Sequence, residues 1–521
     1  MQFIVISRED PLPQSASLVC YLRIDRWDDW AKFCTQFQAY YFDARSELHD
    51  LGDVKIGHVG LKGGPVVGPG VRAPSLEPRF QSLPEGYFSL GQQEHYYETL
   101  AELAPAEKFA ILSGLRDLSA DLQQFDAVLN EPVVFDSLLR FITPDTVRTR
   151  FHRLVTGDTS LTRFSFAYRL PPSGNQLAEN AVATFDVVPD VMPPTNVHVI
   201  IGRNGVGKTR LMHGLARSLL GYTEDADEEP IGTLAFSDQP TSAGVEPGFA
   251  GLVSLSFSAF DNHELPESRV RLKATSVGLR FFDKELGASV TRNPEQLAEA
   301  FVESFATCRR GLRRERWTRG VTQLYNDPVF SDADPLSLLE LAEEAWSATA
   351  KKYFEKKLSS GHKIVLLSIT KLVELVDERT LVLLDEPEGH LHPPLLAAYI
   401  RSVSELLTSR NGVAIVATHS PVVLQEVPAA CVSILERSGR VSSVSRPQLQ
   451  TFGENVGRLS REVFGLEVTH SGFHRRLREE AAASDTFEQL LQRFGGDLGA
   501  EGAAIARGMI LRKQRAADEN A

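Results

Sequence analysis

A chain of 521 residues, 42% of them hydrophobic, is long enough for several domains, each with its own core. Its 55 basic and 68 acidic residues leave a net charge of −13, which excludes a surface that coats nucleic acid throughout but permits a local basic patch. Cys20, Cys34, Cys308 and Cys431 lack metal-like or disulfide-like spacing, Arg8, Glu9 and Asp10 spoil a signal peptide, and no apolar run nears the roughly 20 residues of a membrane span, so a cytosolic protein is expected.

Residues 1–160 read as an α+β domain without a recognisable motif. Ser17–Ile24 and Val54–Gly60 are predicted strands and Trp27–Phe37 a helix. Gly60–Pro84, rich in Gly and Pro, is a loop, and Tyr87–Arg153 is helical on the spacing of Leu103, Ala110, Leu112, Leu115 and Leu118. Asp53-Val54-Lys55, beside Asp43 and Asp50, has two readings: half of a metal-dependent nuclease site, or a structural strand edge, the commoner fate of such triplets.

Leu161–Tyr168 and Ala183–Val188 alternate apolar and polar positions, as strands of an antiparallel layer do. Val197–Ile201 is a buried strand. Gly202, Arg203, Asn204, Gly205, Val206, Gly207, Lys208 and Thr209 then match G-x-x-x-x-G-K-[ST], and Arg210 leads into a helical pattern at Leu211, Leu215 and Leu219. Strand, glycine loop and helix form a nucleoside-triphosphate site. Inward N–H groups and the helix dipole wrap polyphosphate, Lys208 reaches the β- and γ-phosphates, and the Thr209 hydroxyl holds Mg²⁺. Glu224–Glu229 is an acidic surface loop. Gly251–Phe257 is a strand, after which Asp261 or Asn262 could hold Mg²⁺ or water.

Asn293–Lys357 is mostly helical and carries Arg309, Arg310, Arg313, Arg314, Arg316 and Arg319 around Trp317. On one helical face these arginines either grip nucleic-acid phosphates, with Trp317 stacking on a base or an arginine, or pair with acidic residues across an interface. Leu358-Ser359-Ser360-Gly361-His362-Lys363 opens the helix Ile364–Val376. Ser359 or Ser360 is its N-cap and Gly361 allows close approach, so this second helix N-terminus either takes a γ-phosphate held by another subunit or is a plain capped helix. The strand Thr380–Leu384 ends in Asp385-Glu386, placing Asp385 to bind Mg²⁺ through water and Glu386 to polarise the attacking water. Val413–Ala417 ends in Thr418-His419-Ser420-Pro421, where an imidazole can hydrogen-bond the γ-phosphate.

In this order, the phosphate loop, L-S-S-G, L-V-L-L-D-E-P-E and A-T-H-S-P resemble the ATP-binding-cassette ATPases. D-E-P-E-G-H-L-H-P-P is further similar to the soluble SMC, RecF and OLD-type branch and its bacterial antiphage relatives such as the Septu ATPase. The resemblance covers roughly Leu161–Val444. It implies an α/β fold: a P-loop head of mixed central sheet, antiparallel layer and helical lobe (about 293–376) over residues 161–445, between the N-terminal α+β domain and a helical extension, 446–521. It also implies ATP and Mg²⁺ as ligands and an ATP-bridged homodimer with Ser360 and Gly361 acting in trans. Lys208, Glu386 and His419 are then the catalytic groups, Gly202 to Arg210 with Ser359, Ser360 and Gly361 the nucleotide contacts, and Thr209 and Asp385 the metal ligands. The chain departs from the pattern at His362, where transporters carry Gln, and in having no clear Q-loop glutamine near Asp261. The tail lacks the D-x-D of a Toprim nuclease. The expected function is an ATP-driven switch controlling a partner effector, a nuclease in antiphage defence. Its rivals are a repair or chromosome-maintenance ATPase that clamps DNA, through Arg309, Arg310, Arg313 and Arg314, and the motor of a membrane transporter.

Overall fold

Phe3, Cys20, Leu22, Ala39 and Tyr41 recur at every second position of extended segments, so the first part of the chain pairs into a sheet with a buried face. The computed structural model describes residues 1–25, 27–29, 31–64, 72–157, 161–172, 180–223, 230–236, 248–257, 265–270, 272–283, 288–439, 441–464 and 472–518. The predicted acidic loop Glu224–Glu229 and the candidates Asp261 and Asn262 lie outside them.

Six strands, β1 (Gln2–Ile6), β2 (Val19–Ile24), β3 (Gln36–Phe42), β4 (Leu48–His58), β5 (Arg79–Phe80) and β6 (Tyr87–Gly91), make the N-terminal sheet in the order β5-β1-β2-β3-β4-β6. Helix α1 (Glu94–Glu102) and the helical segments up to Thr156 cover it over Leu100, Leu115, Leu138 and Phe151. The helix expected at Trp27–Phe37 does not form. Buried Asp29 instead collects Trp27 Nε1 (2.9 Å), Lys55 Nζ (2.7 Å) and Ser137 Oγ (2.7 Å), which holds a bridged turn from Asp29 to Phe33 before β3 begins. These bonds also answer the Asp53-Val54-Lys55 triplet: Lys55 is buried in an ion pair, and β4 is an interior strand, not an edge. The helical reading of Tyr87–Arg153 holds from Glu94 onward, β6 occupying its start.

The central sheet carries β9 (Val197–Ile201), β11 (Gly251–Ser256), β12 (Lys273–Gly278), β15 (Thr380–Asp385), β16 (Val413–Thr418), β17 (Val432–Ser438) and β18 (Val441–Ser445), in the order β12-β11-β15-β16-β9-β17-β18. All neighbours are parallel except β17–β18. A parallel sheet is covered on both faces, and alternate residues divide accordingly. Val199, Val382 and Val416 face the helical lobe around Trp317 and Ile369. Ile200, Leu383 and Ile415 face Leu211 and Leu215 of α2 (Lys208–Leu219) and the antiparallel layer of β7 (Phe164–Arg169), β8 (Val182–Val187) and β10 (Thr233–Phe236). After the hairpin β13 (Arg280–Asp283) and β14 (Ala288–Thr291) comes the lobe: α3 (Pro294–Cys308), α4 (Gly311–Leu324), α5 (Pro328–Ala333), α6 (Trp346–Lys357) and α7 (Ser360–Leu375). Helix α8 (Pro393–Ser409) links β15 to β16. In the tail, Val456–Phe464 packs Leu459 and Val463 on the central core, while the helices Phe473–Ala482, Phe487–Arg493 and Ala500–Asp518 share a small core of Leu477, Leu490, Ala506 and Ile510.

Candidate nucleotide site

Three adjacent parallel strands bring the sequence motifs to one edge of the sheet. Asp385 pairs in register with Ala417, and Thr418 with Ile201, so the carboxylate pair, the histidine turn and the glycine loop all follow the carboxyl ends of β15, β16 and β9. Ligands of open α/β sheets sit at that edge. The loop is shaped by its glycines. Gly205 (φ +80°) and Gly207 (φ +104°) are left-handed, and a Cβ at Gly202 would run into the Leu435 carbonyl. Lys208 is buried and curls back, its Nζ donating to the carbonyls of Gly202 (3.1 Å) and Arg203 (3.2 Å). Arg203, Asn204, Gly205 and Arg210 are exposed, Val206 and Thr209 half-buried. Beside Gly207 and Arg210 opens a cavity of about 410 Å³ walled by Leu170, Pro171, Val206 and Leu435. Its place between the loop and the antiparallel layer suits a nucleoside.

Glu386 has a left-handed backbone (φ +45°), uncommon for a residue with a side chain and a conformation that costs energy. Its N–H donates to Ala417 O (2.8 Å), which ties the end of β15 to β16 and leaves the carboxylate about half exposed. His419 Nδ1 lies 3.8 Å from Glu386 Oε1 and 3.1 Å from Glu388 Oε1. Glu388, which the sequence reading passed over, holds the histidine turn: its Oε1 accepts from Thr418 Oγ1 (2.6 Å) and His419 N (2.8 Å).

The Ser359–Gly361 segment opens α7, with Ser359 as the N-cap and both serines exposed. Gly361 is pressed against the turn after Glu386, where a Cβ would lie 2.6 Å from His390 O.

Five of the six clustered arginines have partners within the chain, and Arg319 is exposed. Arg309 and Arg310 pair with Glu343 (2.9 and 2.5 Å), Arg314 with Glu340 (2.8 Å) and Arg316 with Glu98 (2.5 Å), and Arg313, buried, donates to Gln93 (3.1 Å). Trp317 cannot stack on a base: it is fully buried and donates from Nε1 to Thr370 Oγ1 (2.9 Å). Arg316 belongs to a buried ionic junction between α1 and the head. Arg410, at the end of α8, pairs with Glu94 and Glu98, and Glu378 with Arg150 (2.5 Å) and Arg153 (3.1 Å). Burial alone would raise the Glu98 carboxyl, but Arg410 and Arg316 bring it down to about 2. Burial lifts Glu94 to about 7 against the pull of Arg410.

A domain family described as "AAA domain, putative AbiEii toxin, Type IV TA system" matches residues 351–425, from α6 through Ser359–Gly361 and Asp385–Glu386 to the His419 turn. Protein ea59 of Escherichia phage lambda is 36% identical over 537 residues, spanning 98% of this chain and 99% of the phage protein. The chain belongs to the ea59 family. The AAA match adds that residues 351–425 are of AAA-domain type. Among solved structures, the ADP conformation of an ATP-binding cassette from an ABC transporter is 13% identical with a TM-score of 0.30, over 59% of this chain and 98% of that one. UvrA2 from Deinococcus radiodurans is 14% identical with a TM-score of 0.26, over 65% and 46%. Among the described residues no helix is long and apolar enough to cross a membrane.

Proposed function

We propose that this ea59-family protein is an ATP-hydrolysing switch that dimerises around ATP in the cytosol and controls a partner effector. One observation carries the reading: the glycine loop, Asp385-Glu386 and His419 follow the ends of three neighbouring parallel strands. The donor set fits the ligands. The loop backbone and Lys208 suit a polyphosphate, and the Thr209 hydroxyl with the Asp385 carboxylate are hard oxygen donors of the kind Mg²⁺ takes. Mg²⁺ bound there would neutralise phosphate charge. Lys208 leaves the carbonyls of Gly202 and Arg203 for the β- and γ-phosphates. Glu386 accepts a proton from the attacking water, the γ-phosphorus–oxygen bond to the ADP leaving group breaks, and ADP and phosphate result. His419, braced by Glu388, donates to the γ-phosphate. Ser360 and Gly361 of a second copy complete the site.

Lys208→Ala and Ser360→Asp subunits, each inactive alone, should regain part of the ATPase activity when mixed, because one composite site then carries neither change. Ser360 is exposed, so the added carboxylate opposes phosphate without disturbing packing. No recovery in demonstrated heterodimers would argue against action in trans.

For the effector we favour a nuclease in the conflict between phage and host. The phage relative and the toxin in the domain description support that setting. Direct DNA clamping is less well supported, since Arg309, Arg310, Arg313 and Arg314 already have partners within the chain. Co-purification of a nuclease from the native host, lost on Lys208→Ala, is the expected outcome.

A further inference from the structure

Asp327 caps α5 from the bend after α4, and only 2% of its surface is exposed. Its Oδ1 accepts from Val329 N (3.0 Å) and Phe330 N (3.1 Å) and lies 3.0 Å from His362 Nε2, while its Oδ2 lies 3.1 Å from His392 Nε2. The two histidines belong to different motifs. His362 stands in the first turn of α7, and His392 ends the segment after Glu386 and caps α8 by accepting from Leu395 N (3.1 Å) at Nδ1.

The hydrogen bonds fix one another. Because His392 Nδ1 accepts, its proton is on Nε2 and points to Asp327. An ionised carboxylate only accepts, so His362 also donates from Nε2, and its Nδ1 is hydrogen-bonded to the Ser359 hydroxyl at 2.5 Å. Ser359 is thereby committed, leaving Ser360 and the unbonded N–H groups of the first turn to face a phosphate. The contact of Gly361 with His390 O joins the same two segments a second time.

We propose that Asp327 is a positioning residue that clamps the Ser360–Gly361 turn to the segment carrying Glu386, so that sensing one subunit's γ-phosphate and hydrolysing the other's are coupled through a single rigid unit. The inference rests on the ATPase reading above.

Asp327→Asn tests it in the full-length protein. The amide oxygen can still cap α5, but its N–H₂ meets the His392 Nε2–H donor, so that link breaks. ATP affinity, measured with a fluorescent ATP analogue, should stay within about twofold, whereas kcat should fall by about tenfold to a hundredfold, as for loss of a charge-assisted bond. His392→Ser keeps a cap on α8, removes the same link and should give the same split. Wild-type kcat in both variants would overturn the proposal. Affinity, kcat and melting temperature falling together would also overturn it, since a merely structural residue behaves that way. Lys208→Ala run alongside separates the two readings. If it hydrolyses ATP at the wild-type rate, the ATPase reading itself has failed; if it is inactive while Asp327→Asn is unimpaired, only the role of Asp327 has.

Discussion

Glu388 carries three contacts through one carboxylate oxygen, to the Thr418 hydroxyl and to both the backbone and the ring of His419. Losing a charged hydrogen-bond partner at a half-buried site costs about 1.5–3 kcal/mol, here in the alignment of the histidine turn. Glu388→Ala should therefore lower kcat by about tenfold or more with little change in KM, and Glu388→Gln, which keeps an acceptor, should fall much less. Equal loss in both would mean that charge, not the hydrogen bonds, matters. The glycine loop was legible because eight positions at fixed spacing follow an apolar strand and precede a helix. Glu388 was not, because D-E-P-E offers two glutamates and only the left-handed turn at Glu386 sends one outward and the other to His419.

At the scale of single elements, the strands of the central sheet were readable as apolar runs, since both faces are covered. Trp27–Phe37 misled for the opposite reason. Its aromatics imitate helical spacing, while the structure there is decided by Asp29, whose partners Lys55, Ser137 and Arg140 are remote in sequence. Strand β9 makes a prediction of its own. His198 is buried edge-on to Phe185, and burial, helped by nearby Arg446, takes it from an ordinary 6.5 down to about 3. Between those values the unfolded chain binds one more proton than the folded one, so stability falls as pH drops below 6.5. His198→Leu removes that slope. On moving from neutral pH to about 5, the wild type should lose about 2 kcal/mol more unfolding free energy than the variant, at roughly 1.4 kcal/mol per pH unit. Parallel losses in denaturant titrations would show that His198 is protonated in the fold.

Over the whole molecule, the N-terminal domain is joined to the head by buried charges. Glu94 and Glu98, one helical turn apart, meet Arg410 and Arg316 from elements more than two hundred residues away, a separation that leaves no local sequence signal. Buried ion pairs are weak sources of net stability but costly to break on one side, about 3–5 kcal/mol. Arg410→Ala should lower the unfolding free energy by that order, read as a lower denaturation midpoint, and adding Glu94→Gln should recover part of it. An unchanged midpoint would mean that water reaches the junction. The proposed switch depends on ATP turnover at the sheet edge. Phosphate release from ATP by the purified chain, compared with Glu386→Gln, tests it most directly. The variant should bind ATP as the wild type does and release phosphate about 10²- to 10⁴-fold more slowly; release at the wild-type rate, or none from the wild type in any assembly state, would contradict the account.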